Sequence, residues 1–114
     1  MVIEFSVAVE NDGVVPVVRV SGEIDVYTCP KLHKALTEVV DSGKLKVVLD
    51  LQNVHYIDST GLGTIAHSAR SLSKAEGQLN VICSRPQVRK IFEISGLSSK
   101  NINLFDEESK ALLA

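Results

Sequence analysis

A nearly continuous apolar run in the middle of the chain restricts its fold more than any other feature. Apolar residues dominate positions 45–51 and resume at Val54, Tyr56 and Ile57. A run of this kind is typical of a central strand that is covered on both faces, although periodicity alone leaves a short buried helix open. A strand covered on both faces needs layers packed against it, so the run predicts an α/β domain.

Two strands joined by a tight turn are predicted before this run. Apolar and polar residues alternate from Ile3 to Val9, which is the period of a strand with one buried face, and residues 11–13 favour a turn. The next strand is predicted over residues 14–20 and should pair with the first as a hairpin. Because Pro16 cannot donate a ladder hydrogen bond, we expect that end of the strand at a sheet edge or a bulge.

Three stretches have the spacing of amphipathic helices, with apolar residues three and four positions apart. Thr28 and Pro30 suit the start of the first helix and Gly43 its end, Gly77 ends the second, and Pro86 opens the third. The apolar stripes are Leu32, Ala35, Leu36 and Val39, then Leu62, Ile65, Ala66, Ala69 and Leu72, and finally Val88, Ile91 and Phe92.

Two further strands are predicted in the second half of the chain. Leu79, Val81 and Cys83 occupy every second position of one stretch, and Ile102 and Leu104 are predicted to make a short last strand. The order of strand, glycine turn, helix and strand is typical of a right-handed parallel crossover. The sequence therefore predicts a mixed central sheet of about four to five strands packed with about four helices.

A final helical segment is expected after these strands. Asp106 is expected to cap it, with Glu107 and Glu108 in its first turn, where the helix dipole favours negative charge. Residues 111–113 are apolar and are expected to dock the segment on the rest of the fold.

Composition and charge restrict the class of protein. The 114 residues, 45% apolar and 23% charged, match one globular domain over residues 1–114. The formal charge of −2 without a basic run disfavours nucleic acid as a partner. No apolar run reaches the roughly 18 residues of a membrane span and the first residues lack a basic signal, so we expect a soluble cytoplasmic protein. Cys29 and Cys83 are expected to be small buried thiols.

Two neighbouring hydroxyls stand between the central strand and the second helix. They belong to the motif Asp58-Ser59-Thr60-Gly61-Leu62-Gly63, called the hydroxyl turn below. A helix start offers backbone N–H groups without partners and the positive end of the helix dipole, so a phosphate fits there. Ser59 is therefore placed like a switch residue. The simpler alternative is that Ser59 or Thr60 only caps the helix.

Three motifs carry a resemblance to a known family. They are Gly22-Glu23-Ile24-Asp25, the stretch from Val48-Leu49-Asp50-Leu51 through Tyr56-Ile57 into the hydroxyl turn, and Phe92-Glu93-Ile94-Ser95-Gly96-Leu97. In this order and spacing they resemble the STAS domain, specifically the single-domain bacterial anti-sigma factor antagonists. The resemblance covers nearly the whole chain.

The resemblance implies a regulatory protein rather than an enzyme, with no cofactor. It implies that Ser59 is phosphorylated by a partner that is both an anti-sigma factor and a serine kinase. The unmodified protein then binds the anti-sigma factor and releases a sigma factor, and a metal-dependent serine/threonine phosphatase restores that form. A second role stays open, in which the chain is a STAS subunit of a stress-sensing assembly or of a membrane transport system.

The partner surface implied by the resemblance combines the hydroxyl turn with the segment after the second strand. Glu23 and Asp25 are expected on a loop close to the turn, the alternative being a solvated acidic loop. Thr60 is expected to be a contact residue rather than a second phosphoacceptor. The two glycines are expected to let the turn form and let a partner's backbone approach, whereas Leu62 fits either the core or the interface. The full set is Glu23, Asp25, Asp58, Ser59, Thr60, Gly61, Leu62 and Gly63.

Other chemistries find weaker support in the sequence. The glycines of the hydroxyl turn lack the lysine and the spacing of a nucleotide-binding loop. Cys29 and His33 are spaced like two metal ligands on one helix face, but no further Cys/His cluster completes a site, so we expect no metal. Ser59 with His55 or His67 and an aspartate suggests a hydrolase, but the chain has no Gly-x-Ser-x-Gly elbow. Catalysis therefore ranks below regulation.

Overall fold

The architecture is a mixed sheet with helices on both faces. The computed structural model describes residues 4–11, 13–96 and 102–114. The elements are β1 (Ser6–Glu10), β2 (Val17–Ile24), α1 (Cys29–Asp41), β3 (Lys46–Ile57), α2 (Ser59–Lys74), β4 (Gln78–Ile82), α3 (Pro86–Ser95), β5 (Ile102–Phe105) and α4 (Glu108–Leu113). Over these residues the five strands lie in the order β1-β2-β3-β4-β5, with β1 antiparallel to β2 and all other neighbours parallel. The predicted hairpin and mixed sheet are confirmed.

Pro16 lies outside the hairpin ladder, so its expected place at a sheet edge or a bulge is wrong. The ladder ends at the pair of Glu10 and Val17, and the proline therefore stands where no donor is needed. Its carbonyl oxygen accepts a hydrogen bond from the backbone N–H of Val48 at 3.0 Å. β2 is an interior strand, and its register against β3 shifts only after Arg19.

The apolar run forms one continuous strand, β3, which excludes the alternative of a buried helix. β3 lies between β2 and β4 at the centre of the sheet. Its second half is bulged, because the register against β2 shifts after Arg19 and leaves extra residues in β3. The backbone at the bulge is hydrogen-bonded, since Gln52 N–H donates to Asp50 Oδ1 and Gln52 O accepts from Arg85 Nε, both at 3.0 Å.

Two apolar clusters fill the space between the sheet and the helices. The larger lies against α1, α2 and α3, and the smaller lies against α4. Neighbouring strand residues belong to different clusters, as Val47 and Val48 do, because successive side chains of a strand leave opposite faces of the sheet. The helical side chains buried in the larger cluster are Leu32, Leu36, Val39, Ile65, Ala69, Leu72, Val88 and Phe92. The predicted helical stripes are therefore confirmed.

The observed ends of the helices agree only in part with the ends predicted from the sequence. Gly96 ends α3 as predicted, in the left-handed conformation with φ of 78°, and the following residue of the predicted stop lies outside the described residues. The predicted cap of α4 is wrong, because Glu107 rather than Asp106 occupies the N-cap position. The carboxylate of Asp106 instead pairs with Nζ of Lys110 at 3.2 Å. Leu113 is 86% exposed and does not dock α4.

A charged cluster around Arg19, not predicted from the sequence, joins β1, β2, β3 and α4. Nη1 of Arg19 donates to Asp50 Oδ2 at 2.7 Å and to Glu108 Oε1 at 2.5 Å, and the guanidinium also pairs with Glu10. The hydrogen bond to Glu108, followed by the bond to Glu10, raises the pKa of Arg19 above its ordinary value. The same contact lowers the pKa of the Glu108 carboxyl.

The other end of α4 is bonded to the sheet. Lys46 Nζ donates to the carbonyl oxygen of Leu112 at 2.9 Å, and the buried Asn80 donates through Nδ2 to the carbonyl oxygen of Ala111 at 2.8 Å. Ala111 also packs in the smaller apolar cluster. Polar contacts at both ends therefore hold this short helix on the sheet.

Neutralising Glu108 is expected to remove a pH-dependent part of the stability. Because the folded pKa of Glu108 lies below its unfolded value, the Arg19 contact stabilises the fold above the unfolded pKa of about 4.3 and is lost as the pH falls through the folded pKa. Both side chains are about a third exposed, so Glu108→Gln should lower the free energy of unfolding by about 1 kcal/mol or less at pH 7. Urea denaturation at several pH values measures the difference, which should fade toward pH 3. Glu107→Gln is the matched control, and a deficit independent of pH would contradict the expectation.

Candidate functional site

The hydroxyl turn lies at the junction of β3 and α2, and Asp58 shapes it. Asp58 has extended backbone angles, and its Oδ1 accepts a hydrogen bond from the backbone N–H of Gly61 at 3.0 Å. Its carbonyl oxygen accepts the first helical bond, from Leu62 N–H at 3.0 Å. Asp58 is therefore the cap, and the alternative in which Ser59 or Thr60 caps the helix is wrong.

Ser59 and Thr60 are both exposed in the first turn of α2. Because the aspartate supplies the cap, neither hydroxyl is needed to hold the helix start. Within the described part of the chain the backbone N–H groups of Ser59 and Thr60 donate to no protein acceptor. The turn thus presents a hydroxyl beside unpaired N–H groups at the positive end of the helix dipole.

Gly61 lets the helix start lie directly on the sheet. A Cβ atom at this buried position would be 2.5 Å from Cγ2 of Ile24 and 2.9 Å from Cγ1 of Ile57. The backbone N–H of Asp58 also donates to the carbonyl oxygen of Ile24 at 3.1 Å. The missing side chain therefore makes room for the core at Gly61, whereas at Gly63 a Cβ atom would meet no described atom within 4 Å.

Leu62 is half-buried and packs against the larger apolar cluster. Its side chain thus contributes to the core, and the uncovered part of it remains available at the surface beside the exposed Gly63. Of the two roles that the sequence leaves open, the structure supports the core role directly.

The segment before α1 forms a hydrogen-bonded loop over residues 25–28. Asp25 Oδ1 accepts from the backbone N–H groups of Tyr27 and Thr28 at 2.9 and 3.0 Å. Thr28 Oγ1 accepts from Asp25 N–H at 2.9 Å and donates to the carbonyl oxygen of Glu23 at 2.8 Å. Glu23 itself is exposed within β2, so its expected place on the loop is wrong. The Asp-x-x-Thr pattern was the sequence signal for this loop.

The 25–28 loop is attached to the hydroxyl turn on both of its sides. The residue before it, Ile24, carries the carbonyl oxygen that binds Asp58 N–H. The residue after it, Cys29, lies with Sγ 2.8 Å from Thr64 Oγ1 and 3.6 Å from the carbonyl oxygen of Thr60. The structure therefore brings the two parts of the predicted partner surface together.

The groups suggested for metal binding or hydrolysis are engaged elsewhere. Asp50 pairs with Arg19, and the ring of His67 lies 6.2 Å from that of His33, centroid to centroid. Within the described residues, neither His55 nor His67 has a side-chain hydrogen bond to Ser59. Over the same residues no group of three His, Cys, Asp or Glu side chains is placed to hold a metal ion.

The two cysteines are buried and unpaired, which confirms the expectation of separate thiols. Burial raises the pKa of the Cys83 thiol to about 11. Among the helices of the described residues, none has the length and apolar character to cross a membrane.

The chain is similar in sequence and fold to characterised proteins. The STAS domain model matches residues 6–111. An anti-sigma-B factor antagonist of Staphylococcus aureus is 38% identical over 80 residues, which cover 70% of this chain and 74% of that protein. The crystal structure of an anti-sigma factor antagonist from Mycobacterium paratuberculosis has a TM-score of 0.88 at 33% identity and covers 96% of this chain and 92% of the other. The phosphorylated form of SpoIIAA, a Bacillus cell fate determinant, shares the fold with a TM-score of 0.73 at 21% identity over 94% and 96% of the two chains.

Adding a methyl group at each of the two glycines of the turn should have different effects on stability. Gly61→Ala should lower the free energy of unfolding by about 1–3 kcal/mol, because the new Cβ meets the packed side chains of Ile24 and Ile57. Gly63→Ala is the matched control and should be neutral or raise it by about 0.5–1 kcal/mol, since alanine suits an unobstructed helical position better than glycine. Urea denaturation of both variants measures this, and equal destabilisation would contradict the direct packing of α2 on the sheet.

Proposed function

The chain belongs to the STAS domain family, and we propose that it is an anti-sigma factor antagonist whose binding is controlled by phosphorylation of Ser59. In this proposal the unmodified protein binds an anti-sigma factor that is also a serine kinase, and a sigma factor is released. The phosphate ends binding, and a serine/threonine phosphatase restores it. The names of the Staphylococcus aureus and Mycobacterium paratuberculosis relatives support the role of antagonist.

The observation that carries the proposal is the division of tasks between Asp58 and Ser59. Asp58 supplies the helix cap, so the hydroxyl of Ser59 is exposed and takes no part in holding the turn. An exposed hydroxyl at a fixed helix start is accessible to a kinase. SpoIIAA, which shares the fold, has a structure in a phosphorylated form, and this likeness supports phosphorylation as the form of control.

The fold itself is suited to carry the phosphate. A phosphate adds about −1.5 to −2 charge, and a helix start stabilises a negative group by about 0.3–2 kcal/mol. The N–H groups of Ser59 and Thr60 are free to bond it within the described structure. Modification should therefore leave the isolated domain folded and nearly unchanged.

A partner that packs against the turn would bury the charge of the phosphate on Ser59 instead of leaving it in water. The surface around Ser59 is already acidic, since Glu23, Asp25 and Asp58 lie in the adjoining segments. A charge that is buried at an interface without a partner costs several kcal/mol, and each 1.4 kcal/mol is tenfold in affinity. Phosphorylation is thus expected to reduce binding by orders of magnitude without unfolding the protein.

Incubation with ATP and the anti-sigma factor of the same organism tests this mechanism. We expect mass spectrometry to place one phosphate on Ser59, and Ser59→Ala to remain unmodified while still binding. Ser59→Asp should bind at least tenfold more weakly than the wild type, because it places a charge where the partner packs.

Thr60→Asp is the matched control for position, since Thr60 is the exposed neighbour in the same helical turn. It should weaken binding less than Ser59→Asp. Thermal denaturation of the variants should show an unchanged fold. Undiminished binding by Ser59→Asp, or a phosphate on another residue, would contradict the mechanism.

A further inference from the structure

Two apolar side chains stand out into solvent next to the hydroxyl turn. Tyr27 is 88% exposed and its neighbour Val26 is 57% exposed. Both belong to the 25–28 loop. Among the large apolar residues of the described chain, Val14 and Leu113 are about as exposed as Tyr27, and they lie before β2 and in α4. A solvated aromatic ring at this position has no packing role in the domain.

The loop that carries these side chains is held rigidly. Both Tyr27 and Thr28 donate backbone N–H groups to the carboxylate of Asp25, and Cys29 N–H donates to the carbonyl oxygen of Asp25 at 2.8 Å. The hydroxyl of Thr28 closes the other side through its bonds to Asp25 and Glu23. A preorganised loop backbone loses little conformational entropy when a partner covers it.

The rigid loop and Ser59 share one surface. Ile24 and Cys29, which flank the loop, contact Asp58 and Thr60, which flank Ser59. Only four residues separate these two attachments, so the loop cannot extend more than about 14 Å. The loop that carries Tyr27 is therefore close enough to Ser59 for one partner to contact both.

We propose that Val26 and Tyr27 form an apolar anchor that inserts into an apolar pocket of the anti-sigma factor. The inference rests on the proposed function and adds a second part to the interface. The anchor supplies affinity that does not depend on phosphorylation, since a few central aromatic residues usually dominate the binding energy of an interface. Ser59 then decides whether the partner can pack closely around that anchor.

Asp25 has a different role under this proposal from the one that the sequence suggests. Its Oδ1 is used inside the loop, where it bonds the N–H groups of Tyr27 and Thr28. It is thus a positioning residue that fixes the backbone of the anchor, and its acceptor oxygen matters more than its charge. An asparagine keeps such an oxygen, whereas an alanine does not.

Binding to the anti-sigma factor of the same organism, measured by calorimetry, tests the anchor. Tyr27→Ala should weaken binding about 30-fold, the effect of a central aromatic residue, and should raise the KM for phosphorylation of Ser59 with little change in kcat. Val14→Ala is the matched control, because Val14 is 86% exposed but precedes β2 at the end remote from Ser59, and it should bind like the wild type. Circular dichroism and thermal denaturation should show both variants folded.

The variants at Asp25 separate positioning from direct charge recognition. Asp25→Ala should weaken binding as Tyr27→Ala does, and Asp25→Asn should restore most of it. Equal loss in both Asp25 variants would overturn the positioning role.

The remaining outcomes distinguish the anchor from the function itself. If Tyr27→Ala binds like Val14→Ala while Ser59→Asp still fails to bind, the anchor is wrong and the proposed function stands. If the wild type does not bind the anti-sigma factor at all, the proposed function fails and the anchor fails with it.

Discussion

The direct seating of the first turn of α2 on the ends of β2 and β3 is the contact on which the site depends. Gly61 allows it, because any side chain there would overlap with Ile24 and Ile57. The backbone bond from Asp58 to Ile24 fixes the same junction. With no side chain as a spacer, the helix start cannot shift without disturbing the core. Ser59 is therefore presented to solvent from a rigid support, which suits the phosphoacceptor role proposed for it.

The two faces of the sheet contribute to this support in different ways. The face under α1, α2 and α3 carries the larger apolar cluster and the hydroxyl turn. The opposite face carries α4 and the ion pairs of Arg19. Asp50 pairs with Arg19 and also bonds Gln52 N–H at the bulge of β3. The charged cluster thus helps to hold the strand that leads into the turn.

In the proposed mechanism, phosphorylation of Ser59 has opposite consequences for the isolated domain and for its complex with the anti-sigma factor. A phosphate at a helix start is favoured by the dipole and solvated by water, so the fold tolerates it. An interface that covers the turn removes that water and leaves the charge without compensation. A phosphorylation switch of this kind needs no conformational change in the antagonist. Such a switch needs only a fixed turn and a second contact with the partner that carries no charge. The exposed Tyr27 is suited to make that contact.

The sequence by itself determined the elements, because apolar periodicity and glycine or proline punctuation are local properties. The apolar run predicts the central strand that β3 forms, and the helical spacing after the hydroxyl turn predicts α2. The location of Ser59 at a helix start follows in the same way. Only the tertiary structure decided which side chain caps that helix, since Asp58, Ser59 and Thr60 are all competent caps and Asp58 is the one that bonds Gly61 N–H. The Arg19 cluster and the junction of the 25–28 loop with the turn join residues far apart in the chain, and long-range contacts of this kind leave no local pattern in the sequence.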